Sequence, residues 1–182
     1  MSASVTELLS AYSAGDKAAL DELATTLYAE LKQLAYVRSR SSGNMGATTL
    51  VQETFVKLLG GAPVQAKNRQ QFFALAATIM RQIIVDEVRY LHAAKRDGLR
   101  VTFAETLIGD SSTQSAEFLL QVDDALETLA KDDERLVRTF ECRFFAGMSI
   151  AETAECLGVS TRTTERLWSE SRARMSELFA DV

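Results

Sequence analysis

The chain has 182 residues, 47% of them hydrophobic and 25% charged, so it is long enough to bury a core of ordinary size. Its one proline and nine glycines argue against sandwiches, barrels and low-complexity sequences and favour helices. No apolar run approaches the roughly 18 residues that cross a bilayer, and the N-terminus lacks the basic and apolar regions of a signal peptide. We therefore expect an all-α, cytoplasmic protein that does not enter a membrane.

The charged residues are distributed unevenly along the chain. The formal net charge is −5, but residues 1–96 carry 11 basic and 8 acidic side chains, whereas residues 97–182 carry 9 basic and 17 acidic ones. This balance excludes a globally basic nucleic-acid binder. It also predicts weak non-specific affinity for DNA, because that affinity rises with the number of phosphates a protein neutralises.

Apolar residues recur at helical spacing in three segments of the first half. Asp16 is placed to cap the first helix, predicted over 17–37, and further helices are predicted over 50–59 and 69–91. Residues 97–115 lose this period and lie where the charge changes sign, so we interpret them as a flexible linker. The linker separates a first small helical domain, residues 1–96, from a second, residues 116–182.

Three or four helices are predicted in the second domain, over 116–130, 133–145, 149–157 and 160–179. Ser149 and Glu152 fit a capping box at the start of the third of these. The two cysteines, Cys142 and Cys156, have no neighbouring Cys or His and are interpreted as reduced core residues.

Residues 150–169 have the spacing of a helix-turn-helix. Ala154 is small where the two helices would cross, and Gly158 lies in the turn, where a positive φ costs glycine little. Ser160 is a good N-cap for the second helix and has the chemistry of a phosphate ligand. The side chains expected to face outward near the start of that helix, where major-groove readers contact bases, are Thr161, Arg162, Thr163 and Arg166. The alternative is a helical hairpin with a solvated charged face.

Three segments resemble extracytoplasmic-function (ECF) sigma factors. Leu50-Val51-Gln52-Glu53-Thr54-Phe55, followed by Lys57-Leu58-Leu59, resembles the DLVQE-x-F-x-R-L-W segment of that family. Residues 79–89 are similar to the promoter-melting helix, with Arg81, Asp86 and Arg89 matching and Gln82 replacing the usual Asn. Residues 160–168 are similar to the reader helix of a subset of the family, and the resemblance covers nearly the whole chain.

The resemblance implies a two-domain promoter-specificity subunit of bacterial RNA polymerase, with core polymerase and promoter DNA as partners. The first domain would dock on the clamp coiled coil of the β′ subunit and open the −10 element, and the second would read the −35 element. The expected clamp-binding residues are Thr48, Thr49, Gln52 and Glu53. The expected −10 residues form a basic track and are Lys67, Arg69, Arg81, Gln82, Arg89, Lys95 and Arg96. The expected −35 residues are Ser160, Thr161, Arg162, Thr163, Arg166 and Arg172.

The sequence departs from the family just before the Leu-Val-Gln-Glu segment. The family usually carries an Asp-Ala-Glu-Asp run there, whose carboxylates engage the clamp, but this chain has Gly46-Ala47-Thr48-Thr49. A phosphate on Thr49, which directly precedes Leu50, or on Thr48 would restore the missing negative charge at a helix N-terminus. We therefore hypothesise activation by a Ser/Thr protein kinase. The alternative is that both threonines simply cap the helix; an anti-sigma factor is compatible with the sequence but not required.

Two other functions compete with a sigma factor. A helix-turn-helix regulator would bind duplex DNA without core polymerase, and a polymerase-binding adaptor would bind the clamp without reading DNA. An enzyme has the least support, since the sequence offers no Gly-rich phosphate loop, no metal-ligand cluster and no nucleophile beside a base. We expect no cofactor and no metal.

Overall fold

The computed structural model describes residues 4–39, 45–60, 66–96 and 110–180, and these ranges contain helices and no strand. The prediction of an all-α fold is confirmed. The helices of the first half are α1 (Val5–Ser13), α2 (Ala18–Ser39), α3 (Ala47–Gly60) and α4 (Arg69–Arg96). Those of the second half are α5 (Asp110–Asp132), α6 (Glu134–Phe140), which continues as a π-helical turn (Glu141–Phe145), α7 (Ile150–Leu157) and α8 (Thr161–Ala180). No helix within these ranges combines the length and apolarity that a bilayer crossing needs.

Helix α2 is the centre of the first half. Its predicted stripe is confirmed, because Leu23, Leu27 and Leu31 are fully buried, and α2 packs against α1, α3 and α4. The Asp16 carboxylate accepts a hydrogen bond of 3.0 Å from the backbone N–H of Ala18, as expected of a cap. Helix α1 was not predicted, because a helix of nine residues offers too few apolar repeats to reveal its period.

Two helix ends differ from the sequence prediction. Helix α4 continues to Arg96, and α5 begins at Asp110, within the predicted linker. The predicted start at 116 was wrong, because residues 110–115 are polar and carry no apolar repeat, yet they extend the helix that the following residues form. The rest of the predicted linker, residues 97–109, lies outside the described residues.

The helix-turn-helix is formed as predicted. The hydroxyl of Ser149 accepts from the N–H of Glu152 at 3.2 Å and the Glu152 carboxylate accepts from the N–H of Ser149 at 2.8 Å, which completes the capping box. Gly158 ends α7 with a φ of 66°, in the left-handed region. The buried hydroxyls of Thr153 and Thr164 donate to the carbonyls of Ser149 and Ser160, at 2.8 and 3.1 Å, so neither polar group is left unpaired in the core.

The two halves pack against each other along α4. This helix contacts α5, the π-helical turn and α7. Phe73 and Ala74 of α4 lie against an apolar cluster of Cys142, Met148 and Cys156 in the second half. The helix that the sequence assigns to promoter melting is therefore also the main contact with the domain assigned to the −35 element.

Candidate functional site

The first candidate surface is the exposed face of α3, made of the expected clamp-binding residues. Thr48, Thr49, Gln52 and Glu53 are all exposed. One turn further on, Val56 extends the same face and is 63% exposed, which is unusual for a large apolar side chain. Sequence reasoning did not single out Val56, although its spacing of four from Gln52 was a usable signal.

The start of α3 leaves both threonine hydroxyls free to react. The backbone N–H of Leu50 donates to the carbonyl of Gly46 at 3.0 Å, and the helix begins at Ala47. Thr48 and Thr49 therefore lie in the first helical turn, so the alternative that they cap the helix was wrong. Neither hydroxyl has a hydrogen-bond partner among the residues the structure describes, and the first turn contains no acidic residue.

Thr54, on the same helix, has the opposite environment. It is buried, and its hydroxyl donates to the carbonyl of Leu50 at 2.6 Å. The helix thus presents two exposed threonines and one that a modifying enzyme cannot reach in the folded chain.

The second candidate surface is the basic side of α4, and its most buried cation is Arg81. The guanidinium forms one ion pair with Asp123 of α5 and another, of 2.9 Å, with Glu141 of the π-helical turn. It also lies 5.6 Å from the centre of the Phe145 ring. Only 10% of the Arg81 side chain is exposed, so this residue does not face open solvent.

Arg89 lies two turns further along α4 and reaches the same acidic group. Its guanidinium is 3.1 Å from one oxygen of Asp123 and 3.2 Å from Asp124, and its side chain is 46% exposed. Asp123 is itself buried and is shared by the two arginines. The structure therefore brings two expected −10 residues together with carboxylates of the second half.

The other expected −10 residues are arranged differently. Lys67 and Gln82 are exposed, while Arg69 pairs with Glu30 and lies 5.1 Å from the centre of the Phe73 ring. Lys95 and Arg96 lie in the last turn of α4, but their side chains, like that of His92, are outside the described set. Among the aromatic residues of α4, Phe72 is buried, Phe73 is half-buried and Tyr90 is 69% exposed.

An open cleft lies between the halves beside Arg69. Its volume is about 410 Å³, and its lining includes Glu30, Phe73, Met148 and Glu152. Nearby, the side-chain amide of Gln71 donates to the backbone carbonyl of Cys156 at 3.1 Å. The contact between the halves is therefore partly polar and incompletely filled.

The third candidate surface is the start of α8. The Ser160 hydroxyl accepts from the N–H of Thr163 at 3.2 Å and so caps the helix. The exposed expected −35 residues are Ser160, Thr161, Arg162, Arg166 and Arg172, while Thr163 is half-buried. The guanidinium of Arg172 lies 5.2 Å from the centre of the Trp168 ring, and that of Arg166 is 3.6 Å from Glu170. The structure therefore leaves most of the expected −35 residues exposed to solvent.

The two cysteines are buried and free. The thiol of Cys142 donates to the sulfur of Cys156 at 3.6 Å. That hydrogen bond, together with burial, raises the pKa of the Cys142 thiol, so both residues fit the core assignment. No group of His, Cys, Asp and Glu side chains within the described residues could hold a metal ion.

Asp123 and Glu141 are the charge partners of Arg81 that sequence reasoning missed. The sequence offered one signal, which was the excess of acidic residues after position 96. That excess indicated a negatively charged partner for a basic helix, but it did not identify which carboxylates contact the helix.

Comparison with known proteins gives one consistent result. The family model described as "ECF sigma factor" matches residues 2–181. The chain is 28% identical over 176 residues to ECF RNA polymerase sigma factor SigM of Mycobacterium tuberculosis, covering 94% of this chain and 83% of that protein. It is 28% identical over 193 residues to ECF RNA polymerase sigma factor BldN of Streptomyces coelicolor, covering 99% and 67%. A solved structure of CnrH in complex with the cytosolic domain of CnrY matches at 21% identity and a TM-score of 0.40, over 97% of each chain.

Proposed function

Because this chain belongs to the ECF sigma factor family, and is therefore an alternative sigma factor that acts with RNA polymerase in transcription initiation, we propose that threonine phosphorylation on α3 switches its polymerase binding on. The acceptor is Thr49 or Thr48, and the modifying enzyme is a Ser/Thr protein kinase. ECF sigma factors are not enzymes, so the chemistry of the switch belongs to the kinase.

The observation that carries the proposal is the exposed first turn of α3. Thr48 and Thr49 are exposed, they do not cap the helix, and no carboxylate lies in that turn. A phosphate adds a charge of about −1.5 to −2 and three acceptor oxygens, and the helix dipole favours negative charge at this end. Glu53 would then join the phosphate on one anionic face.

The size of the effect follows from the contacts that the unmodified chain lacks. Each charge-assisted contact with a basic clamp residue contributes about 1.5 to 3 kcal/mol. Two such contacts correspond to an affinity change on the order of a hundredfold or more, at about 1.4 kcal/mol per decade. The unmodified chain is then a poor partner for core polymerase.

The division of labour between the halves is the second part of the proposal. Residues 1–96 dock on the β′ clamp and open the −10 element, and residues 116–182 read the −35 element. The exposed polar start of α8 supports the second role, since Thr161, Arg162 and Arg166 are presented on one helix end. The basic side of α4, with exposed Tyr90 near its end, supports the first, because melted strands bind to cations and stacking faces. An anti-sigma factor is not needed for this control.

Run-off transcription with core polymerase tests the switch. Wild-type chain treated with a bacterial Ser/Thr kinase is expected to give far more transcript than untreated chain, and Thr48→Ala/Thr49→Ala is expected to lose that gain. Thr54 is the internal control, because it is buried and bonded to Leu50; mass spectrometry should find phosphate on the first turn and not on Thr54. Equal output from untreated wild type, treated wild type and the alanine variant would refute the switch. Duplex binding with no effect on core polymerase would favour a simple DNA-binding regulator.

A further inference from the structure

We propose that the second half of the chain inhibits the first by supplying carboxylates to the basic residues of α4 that would otherwise bind promoter DNA. The closed arrangement is a latch formed by Arg81 and Arg89 with Asp123, Asp124 and Glu141. The inference rests on the proposed function, because that function assigns the two arginines to the −10 element.

The centre of the latch is buried. The Arg81 guanidinium reaches two carboxylates from two different elements, Asp123 of α5 and Glu141 of the π-helical turn. All three side chains are at most 12% exposed. An arginine held in this way cannot contact a phosphate or a base unless the two halves move apart.

The rim of the latch is its solvent-exposed part, where Arg89 also pairs with carboxylates of the second half. Arg89 contacts Asp123 at 3.1 Å and Asp124 at 3.2 Å, and the Asp124 side chain is 71% exposed. A carboxylate offers an arginine the same paired anionic oxygens that a DNA phosphate offers. The acidic second half and the nucleic acid therefore compete for the same two guanidinium groups.

The same contact has features that allow it to open. The Arg81 Nε is buried and has no hydrogen-bond partner among the described residues, which leaves a desolvated N–H uncompensated in the closed state. The open cleft of about 410 Å³ beside Arg69 shows that the seam is not filled by side chains. Exposed ion pairs such as Arg89–Asp124 contribute little to stability.

Closure lowers the apparent affinity for DNA without changing the DNA-binding residues themselves. When only a fraction of molecules is open, the apparent dissociation constant rises by the inverse of that fraction. The latch thus keeps the free chain from occupying single-stranded DNA before it has joined polymerase.

The test uses the full chain without polymerase. In Asp123→Asn/Glu141→Gln, both carboxylates of the buried centre lose their charge while α4 is unchanged. Small-angle X-ray scattering is expected to show a larger radius of gyration than in wild type. Binding of a fluorescent single-stranded oligonucleotide, measured by anisotropy, is expected to tighten about tenfold, equivalent to about 1.4 kcal/mol.

Two further variants serve as control and reserve. Glu127→Gln/Glu134→Gln makes the same change in net charge in the same half, at two exposed carboxylates with no ion pair to the described residues of α4, and is expected to behave like wild type. Asp124→Lys changes only the exposed rim, so it keeps the proposal testable if the buried variant fails to fold; circular dichroism reports folding. It is expected to tighten oligonucleotide binding in the same direction by a smaller factor.

Several outcomes would overturn the latch. They are an unchanged radius in the folded latch variants, a larger radius without tighter oligonucleotide binding, or equal tightening in the Glu127→Gln/Glu134→Gln control. None of these results depends on core polymerase, so a failed latch is distinguishable from a failed sigma-factor switch, which run-off transcription measures separately.

Discussion

The exposed face of α3 and the basic side of α4 lie in the same half of the molecule, and under the proposed function each is kept from its partner for the opposite reason. On α3, Thr48 and Thr49 are open to solvent, yet the turn they occupy carries no negative charge. On α4, Arg81 and Arg89 are the cations proposed to bind nucleic acid, and both are paired with carboxylates of the second half. The first surface needs charge added, and the second needs charge uncovered.

This difference separates two kinds of control. A covalent change can act on α3 without moving any backbone, because its site is already exposed. Release of α4 requires a rigid-body movement of one half, because Asp123 and Glu141 are built into helices of the second half.

Arg81 pairs with two carboxylates of the second half, and its removal is expected to cost the chain the most stability. Arg81→Ala leaves Glu141 without this partner and Asp123 with only the half-exposed Arg89, which is expected to destabilise the closed chain by about 3–5 kcal/mol. Urea denaturation measures this, with Gln82→Ala as the exposed neighbouring control, expected within about 0.5 kcal/mol of wild type. Arg81→Ala also removes one of the two cations proposed to bind DNA. Unlike the carboxylate variants, it should therefore not tighten binding of single-stranded DNA. Equal stability of Arg81→Ala and Gln82→Ala would contradict the buried ion pairs.

Permanent negative charge in the first turn of α3 is expected to strengthen binding to core polymerase. Thr48→Glu/Thr49→Glu places two carboxylates in the first turn and is expected to raise affinity for core polymerase about tenfold or more, one charge-assisted contact being worth about 1.5–3 kcal/mol. Surface plasmon resonance with immobilised core measures it. The control is Thr26→Glu, an exposed threonine on α2, which should leave the affinity unchanged. A gain in the control as large as in the α3 variant would show that net charge, not position, matters.

A change at the start of α7 gives the size of an ordinary structural effect. Ser149→Ala removes the hydroxyl that accepts from the N–H of Glu152 and is expected to lower the free energy of unfolding by about 1 kcal/mol. The backbone N–H of Ser149 lowers the pKa of Glu152 in the folded chain. The stability that this carboxylate contributes is therefore complete above the ordinary pKa of a glutamate, and it is lost as the pH falls through the lower folded-state pKa. Thermal denaturation checks the first point, with exposed Ser169→Ala as control; a drop no larger than the control's would argue against the cap.

The smallest effect is expected at an exposed ion pair between α3 and α4. Lys57 lies 3.4 Å from Asp86, with side chains 43% and 66% exposed. Lys57→Ala should change the free energy of unfolding by less than about 1 kcal/mol, because solvent screens the pair. A loss comparable to that of Arg81→Ala in the same urea titration would show that exposure does not separate the two kinds of ion pair.

The sequence contained enough to predict the local structure of the helix-turn-helix. Ser149, Gly158 and Ser160 act through contacts within four residues of themselves, so their residue types already specify the caps and the turn. The leucine stripe of α2 was predictable for a similar reason, since a repeating spacing identifies the buried face before its partner is known.

Pairings between distant residues could not be predicted. Arg81 and Glu141 are 60 positions apart and meet because α4 packs across the second half. The residues around Arg81 and around Glu141 form no sequence pattern that predicts this contact. The expected roles of Arg81 and Arg89 came from resemblance alone, and it was the packing of the two halves that revealed their carboxylate partners. Likewise, the position of Thr48 and Thr49 inside the helix, after Gly46, depended on where α3 begins.

The switch is tested by comparing two affinities for core polymerase. One is the affinity of the unmodified chain, and the other is that of the same chain carrying phosphothreonine at position 49. Both can be measured by titrating labelled chain with core enzyme at one salt concentration. We expect the phosphorylated chain to bind on the order of a hundredfold more tightly. Equally tight binding by the unmodified chain would show that the uncharged first turn of α3 imposes no deficit, and would contradict the account.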